Sequence, residues 1–234
     1  MVETGSILPL WLHLASIALP LVTALWILFH RNFREETLTL LMLLSLLLFS
    51  KNILLYLPGF KTGTAAVYYS LFETGEFALL LLLFKSSFRN PLLRTITNYL
   101  LVAFLSVILT LHFSHPDTNY LKPVALVQAA FLVFFSLANL SVLIKNQYVF
   151  IFHSPLFWIA GGTLFYSCMV LAAELISMQG WLNQQGEEKI LLIACFALVR
   201  LFFYFVAAII NRHGPLEDEL RNITGASPEH RYQQ

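Results

Sequence analysis

Charge is scarce in this chain. Asp, Glu, Lys and Arg make up only 12% of its 234 residues, about half the roughly 25% of a soluble domain. That scarcity excludes an ordinary soluble core. The few charges nearly cancel, leaving a net charge of +1. No basic cluster is dense enough to suggest nucleic acid or another polyanion as a partner. Cysteine is almost missing. Cys168 and Cys195 both fall inside apolar segments, with no CxxC or metal-ligand spacing, so they read as small buried hydrophobes. There is no Gly-rich phosphate loop, HExxH or nucleophile elbow. Histidine at depth is limited to His13, since His112, His115 and His153 lie at segment ends or in loops. Haem ligation is thereby excluded, and neither a cofactor nor a metal is expected. Glu3 stands where a signal peptide carries basic residues, so the first apolar stretch reads as a permanent span.

What the chain has in abundance is hydrocarbon. Hydrophobic residues reach 58%, with 21 Phe, and the mean hydropathy is +0.74. Seven apolar segments can be drawn, at about 7–29, 37–57, 65–84, 95–113, 123–144, 155–178 and 189–211. Each has the length that crosses a bilayer with some tilt. They are continuously apolar rather than alternating, which argues against barrel strands. The fold expected is all-α, a seven-helix transmembrane bundle over residues 1–212. Residues 213–234 form a short polar tail, read as disordered and too short for an output domain.

Local punctuation agrees with these limits. Pro58-Gly59 follows the second segment, Asn90-Pro91 precedes the fourth and Lys122-Pro123 opens the fifth. Ser154-Pro155 opens the sixth as N-cap and first-turn proline. Pro20 lies inside the first segment, where it should kink the helix and free the carbonyl of Ser16. Ala160-Gly161-Gly162-Thr163 allows close helix approach, and Thr97, Asn98, Gln128, Ser136 and Asn139 suit hydrogen bonds between helices. Lys and Arg are distributed unevenly. Arg31, Arg34, Lys85, Arg89, Arg94, Lys145, Arg212, Arg221 and Arg231 fall on one side, against Lys61, Lys122 and Lys189 on the other. The positive-inside rule then places the N-terminus outside and the C-terminus in the cytoplasm.

Five ionisable side chains interrupt the apolar segments: Lys51, Glu73, Glu76, Glu174 and Arg200. A charge at bilayer depth costs roughly 2.5–3.5 kcal/mol on insertion scales and usually faces a partner or a wet cavity. Helical side chains tilt toward their helix N-terminus, so Lys51 of the second segment converges with Glu73 and Glu76 of the third. By the same reasoning Glu174 of the sixth should meet Arg200 of the seventh. Tyr69 lies four before Glu73 and extends the first group; Tyr166 and Tyr204 extend the second. His13 is a further polar neighbour in the outer half. Three carboxylates against two cations leave one acid, Glu73 or Glu76, unmatched. These groups either fix packing as interhelical ion pairs or line a polar cavity open to the outer face.

Seven helices with the N-terminus outside are similar in layout to microbial rhodopsins, but Arg200 stands where a retinal-binding lysine is needed. The PQ-loop transporters lack a counterpart here, because neither a Pro-Gln motif nor a repeat is present. Ser154-Pro155-Leu156-Phe157-Trp158-Ile159, followed by Gly162 and Tyr166, with an acidic third helix after Tyr68-Tyr69, resembles an uncharacterised family of bacterial seven-helix integral membrane proteins. The resemblance implies multi-pass insertion in the bacterial cytoplasmic membrane and a signalling context, and it supplies no catalytic residues. The function expected is a receptor-like sensory module with an outward polar pocket, acting through a separate membrane or cytosolic partner, with a small ligand or proton as the stimulus. The alternatives are a small proton-coupled carrier and, third, an intramembrane enzyme acting on lipid.

Overall fold

The computed structural model describes residues 10–30, 35–54, 64–88, 90–114, 121–146, 151–178 and 187–210. Among these residues there are seven long helices and no strand: α1 (Leu10–Phe29), α2 (Glu36–Leu54), α3 (Thr64–Ser87), α4 (Pro91–Ser114), α5 (Leu121–Asn146), α6 (Pro155–Met178) and α7 (Glu187–Ile210). A single 3₁₀ turn, Ile151–His153, leads into α6. The polar tail and the Lys/Arg residues at 31, 34, 61, 89, 212, 221 and 231 lie outside the described residues.

The helix starts follow from local chemistry. Asn90 Oδ1 accepts the N–H of Leu92 at 2.9 Å, so Asn90 caps α4 and Pro91 takes the first helical position, where its missing N–H costs nothing. This moves the start of α4 upstream of residue 95 and brings Arg94 into its first turn. Pro155 likewise begins α6. Helix α1 runs through Pro20. The Ser16 carbonyl that proline cannot use accepts Asn52 Nδ2 of α2 at 2.6 Å, so the defect in one helix becomes a tie to the next.

The pattern of burial is that of a membrane protein. Large apolar side chains such as Phe29, Leu92, Tyr99, Val102, Phe134 and Leu175 are exposed, while Glu76, Gln128, Asn139, Thr163 and Arg200 are buried. An exposed apolar belt of this extent is an interface with lipid rather than water. Six helices are long and apolar enough to cross a bilayer: α1, α2, α4, α5, α6 and α7. The chain is therefore a multi-pass helical membrane protein. Helix α3, with Glu73, Glu76 and Lys85, stands outside that set of six.

The helices form a closed circuit in which α1 packs on α2, α2 on α3, α3 on α5, α5 on α6, α6 on α7 and α7 back on α1. Helix α4 packs mainly on α3 from outside. Only 17% of its most apolar stretch is buried, against 39% for α5, which marks α4 as the peripheral helix. Helix α3 contacts α2, α4, α5 and α6, so most of its faces meet protein. A helix so surrounded can carry polar groups that a lipid-facing helix cannot. Gly162 explains the closeness of α6 to α7. A Cβ there would lie 2.6 Å from Phe203 Cβ, whereas at Gly161 the nearest approach is an ordinary 3.5 Å.

The circuit has two unlike ends. Leu38, Leu41, Leu44, Phe77, Leu81, Phe84, Phe135 and Ala207 build a dry apolar core. They come from the early part of α2 and the later parts of α3, α5 and α7. The buried ion pairs lie from the middle of the bundle, at Glu76 and Arg200, toward the opposite end, where the last turns of α2 and α6 bring Lys51 and Glu174 and the first turn of α7 brings Lys189.

Candidate functional site

Glu76 is the centre of the charged group. It is 4% exposed and accepts from two cations on different helices. Arg200 Nη1 of α7 donates to its Oε1, and Lys51 Nζ of α2 lies 3.4 Å from its Oε2. Lys51 also donates to Glu73 Oε1, one turn earlier on α3. The convergence of Lys51 with Glu73 and Glu76 is the one their helix directions imply.

The proposed partnership of Glu174 with Arg200 is not what the structure shows. Glu174 Oε1 binds Lys189 Nζ at 2.7 Å, and Arg200 binds Glu76. The reason is depth. Glu174 is four residues from the end of α6, about 6 Å along the axis, while Arg200 is thirteen residues into α7, about 20 Å. Lys189 is only about 3 Å into α7 and meets Glu174 at its own level. Helix α7 begins at Glu187, so Lys189 is a buried helical residue rather than a loop cation. The count of charges changes with it. Glu73, Glu76 and Glu174 face Lys51, Lys189 and Arg200, so each acid has a cation and none is left over.

Aromatic rings hold the arginine in place. The Arg200 guanidinium carbon lies 4.0 Å from the centroid of the Tyr166 ring and 5.8 Å from that of Tyr204. Such cation–π contacts reach about 2 kcal/mol when desolvated. Tyr204 OH pairs with Thr163 Oγ1 at 2.9 Å, and Thr163 returns to the Ile159 carbonyl at 2.8 Å. On the other side, Gln128 Nε2 of α5 donates to the Glu73 carbonyl at 2.8 Å. Side chains from five helices thus converge on a few turns of α3 and α7.

A cavity of about 220 Å³ opens beside this network. Glu73, Glu76, Glu174, Tyr166 and Arg200 all lie on its wall, with Ser70, Thr74, Gln128 and Ser167 as further polar neighbours. Lys51 stands behind Glu73 and Glu76, and Tyr204 lies beside Arg200; neither is among the described wall residues. His13 is half-buried on α1 and is not on that wall either; its carbonyl accepts the Ser16 hydroxyl at 2.8 Å. The side chain of Tyr69 lies outside the described residues.

The wall is partly satisfied. Glu73 and Glu174 keep 29% and 26% of their side chains exposed, and each has one oxygen engaged by a lysine. Ser167 Oγ and Arg200 Nε are buried without a hydrogen-bond partner among the described residues. Lys189, Ser70, Thr74 and Ser167 are residues that sequence reasoning missed. The signal for Lys189 was its nearness to the start of α7, opposite the end of α6. Ser167 lies one turn past Thr163 on the same face of α6.

Elsewhere the expected hydrogen bonds between helices form only in part, and Ser136 Oγ is buried without a partner among the described residues. Asn139 donates to Ser87 Oγ between α5 and α3. Thr97 instead returns to the Leu93 carbonyl of its own helix at 2.7 Å, and Asn98 is exposed, so this pair does not join α4 to a neighbour in the way the sequence suggested. Comparison of the chain with family models, with curated proteins and with solved structures finds no match.

Proposed function

We propose that the chain is a seven-span, receptor-like module that takes a small polar ligand in the cavity between α3, α5, α6 and α7. The observation that carries this reading is the cavity wall. Buried and half-buried charges from separate helices meet around one space, and part of their hydrogen-bonding capacity is unused. Groups of this kind inside a membrane protein mark ligand or ion sites. Helix α3 serves as the remaining span: its 24 residues extend about 36 Å, enough for a hydrocarbon core of about 30 Å. The Lys/Arg bias sets the cavity end outward and the apolar core toward the cytoplasm.

The ligand is small. At about 220 Å³ the cavity falls below the roughly 300–1,000 Å³ of drug-sized sites, which disfavours a chromophore or a whole lipid. Occupancy alters how Glu76, Arg200 and Glu174 share their partners, and so alters how α3, α6 and α7 pack. That change is the output, read by a separate partner. The resemblance to bacterial seven-helix proteins agrees with such a signalling role in the cytoplasmic membrane.

A proton-coupled carrier is the second reading, favoured by the acids on the cavity wall. Carriers tend to bind at broken helices near mid-depth, whereas α2 to α7 run unbroken through the described residues. Reconstitution in proteoliposomes separates the two. Under an imposed pH gradient the receptor reading predicts no current beyond that of protein-free vesicles. A pH-driven current abolished by Glu73→Gln would establish the carrier instead.

A further inference from the structure

The unused hydrogen-bonding groups of the cavity differ in kind with depth. Toward the mouth, Glu73 and Glu174 each give one carboxylate oxygen to a lysine. The other oxygen of each has no hydrogen bond among the described residues. Both side chains remain partly exposed, so both can accept from an ammonium group. Deeper in, Arg200 Nε is a donor without an acceptor. The Ser167 hydroxyl, 1% exposed and also without a partner, lies on the same wall. Acceptors thus remain unused at one pole and donors at the other; the two donor atoms are themselves buried, so a ligand engages them with a rotation of the Ser167 and Arg200 side chains.

The charge balance adds a second constraint. Three acids and Arg200 lie on the wall, and Lys51 and Lys189 pair with those acids from beside it, so the group as a whole is neutral before any ligand enters. A ligand with net charge must be held without a matching countercharge in a medium where uncompensated charge is costly. A neutral ligand with separated charges avoids that cost and fits both poles.

We infer that the cavity binds a small zwitterion of the amino-acid type, its ammonium group toward Glu73 and Glu174 and its carboxylate toward Arg200 and Ser167. The inference rests on the receptor reading and narrows it to a ligand class. The chain already shows the ammonium half of this chemistry, since Lys189 Nζ sits 2.7 Å from Glu174. The cavity volume suits a molecule of a few heavy atoms. A lone cation leaves Arg200 Nε without an acceptor; a lone anion has to approach Glu76 without the compensating ammonium.

The test uses three small probes that carry both charged groups or one of them: β-alanine, propylammonium and propionate, each titrated at neutral pH and constant ionic strength. The full chain is held in lipid nanodiscs and its thermal unfolding followed by tryptophan fluorescence. β-Alanine is expected to raise the Tm saturably by a few degrees, with the other two inert. Glu73→Gln and Glu174→Gln should each weaken that response about tenfold or more. Ala129→Phe, which fills the cavity from α5, should remove it. Each variant's Tm without probe reports whether it has folded. If propylammonium or propionate stabilises instead, and Ala129→Phe removes that effect, the cavity binds ligands but the zwitterion assignment is overturned and the receptor reading survives. If no probe stabilises the protein, the inference is overturned, and the receptor reading then depends on whether the cavity is open to the outer face.

Discussion

Glu76 holds Lys51 and Arg200 at once, so its removal strands two cations. Breaking a buried pair by deleting one partner costs about 3–5 kcal/mol, because the other charge stays buried and uncompensated. Glu76→Leu should therefore lower stability by about that amount, measured by denaturant unfolding in mixed micelles. Removing Arg200 as well should recover part of the loss: Glu76→Leu/Arg200→Leu is expected to be more stable than Glu76→Leu alone. A double variant as unstable as the sum of the singles would show that Arg200 is not held by Glu76. Glu174 behaves differently. It is 26% exposed and holds a single cation, the buried Lys189, so Glu174→Gln should destabilise by less than Glu76→Leu in the same assay, because only one cation loses its countercharge and the amide oxygen can still accept from it. At this scale the sequence was half legible. Lys51, Glu73 and Glu76 could be joined from spacing and helix direction alone. Arg200 could not be joined to Glu76, because the order of helices along the chain does not reveal which of them approach in space. The position of α3 between α2, α5 and α6 is what brings its acids within reach of a long arginine on α7.

Helix contacts make two further predictions. Gly162 sits where α6 and α7 are closest, so Gly162→Ala should cost about 1–3 kcal/mol through overpacking against Phe203. Gly161→Ala meets only ordinary contacts and should be neutral or stabilising by up to about 1 kcal/mol, since alanine favours helix. Equal effects at the two positions in an unfolding assay would contradict the packing described. The second prediction concerns α1 and α2. Asn52→Ala leaves the Ser16 carbonyl without its donor and should cost about 1–3 kcal/mol. In a Pro20→Ala background the helix can supply its own N–H to that carbonyl, so the cost of Asn52→Ala should shrink. A double-mutant cycle measures the coupling directly. The freed carbonyl was legible from Pro20 alone. Its partner was not, because nothing in the sequence places Asn52 opposite Ser16 until the two helices are packed. The start of α4 at Pro91 was similarly obscured, since hydropathy marks the hydrocarbon limits and not the capped polar turn that precedes them.

The whole molecule has an apolar core on one side of the Glu76–Arg200 level and buried ion pairs from that level toward the other end, and that division is the basis of the functional reading. Continuous hydrophobic segments with few breaks made the helical membrane class plain from the sequence. The cavity was not plain, since Ser70, Gln128, Tyr166 and Ser167 lie on three different helices and become neighbours only in the closed circuit. The receptor reading requires the cavity to open toward the outer face, and the accessibility of a thiol placed on its wall reports that opening. Val170 lines the cavity and is half-buried. Val170→Cys, in a chain whose Cys168 and Cys195 are replaced by serine, is exposed to a membrane-impermeant maleimide applied to the outer face of intact cells. Leu44→Cys in the apolar core serves as the buried reference. An outward-opening cavity gives labelling of Val170→Cys from outside and none of Leu44→Cys. Failure of Val170→Cys to label, or labelling only from the cytoplasmic side of inverted vesicles, would contradict it.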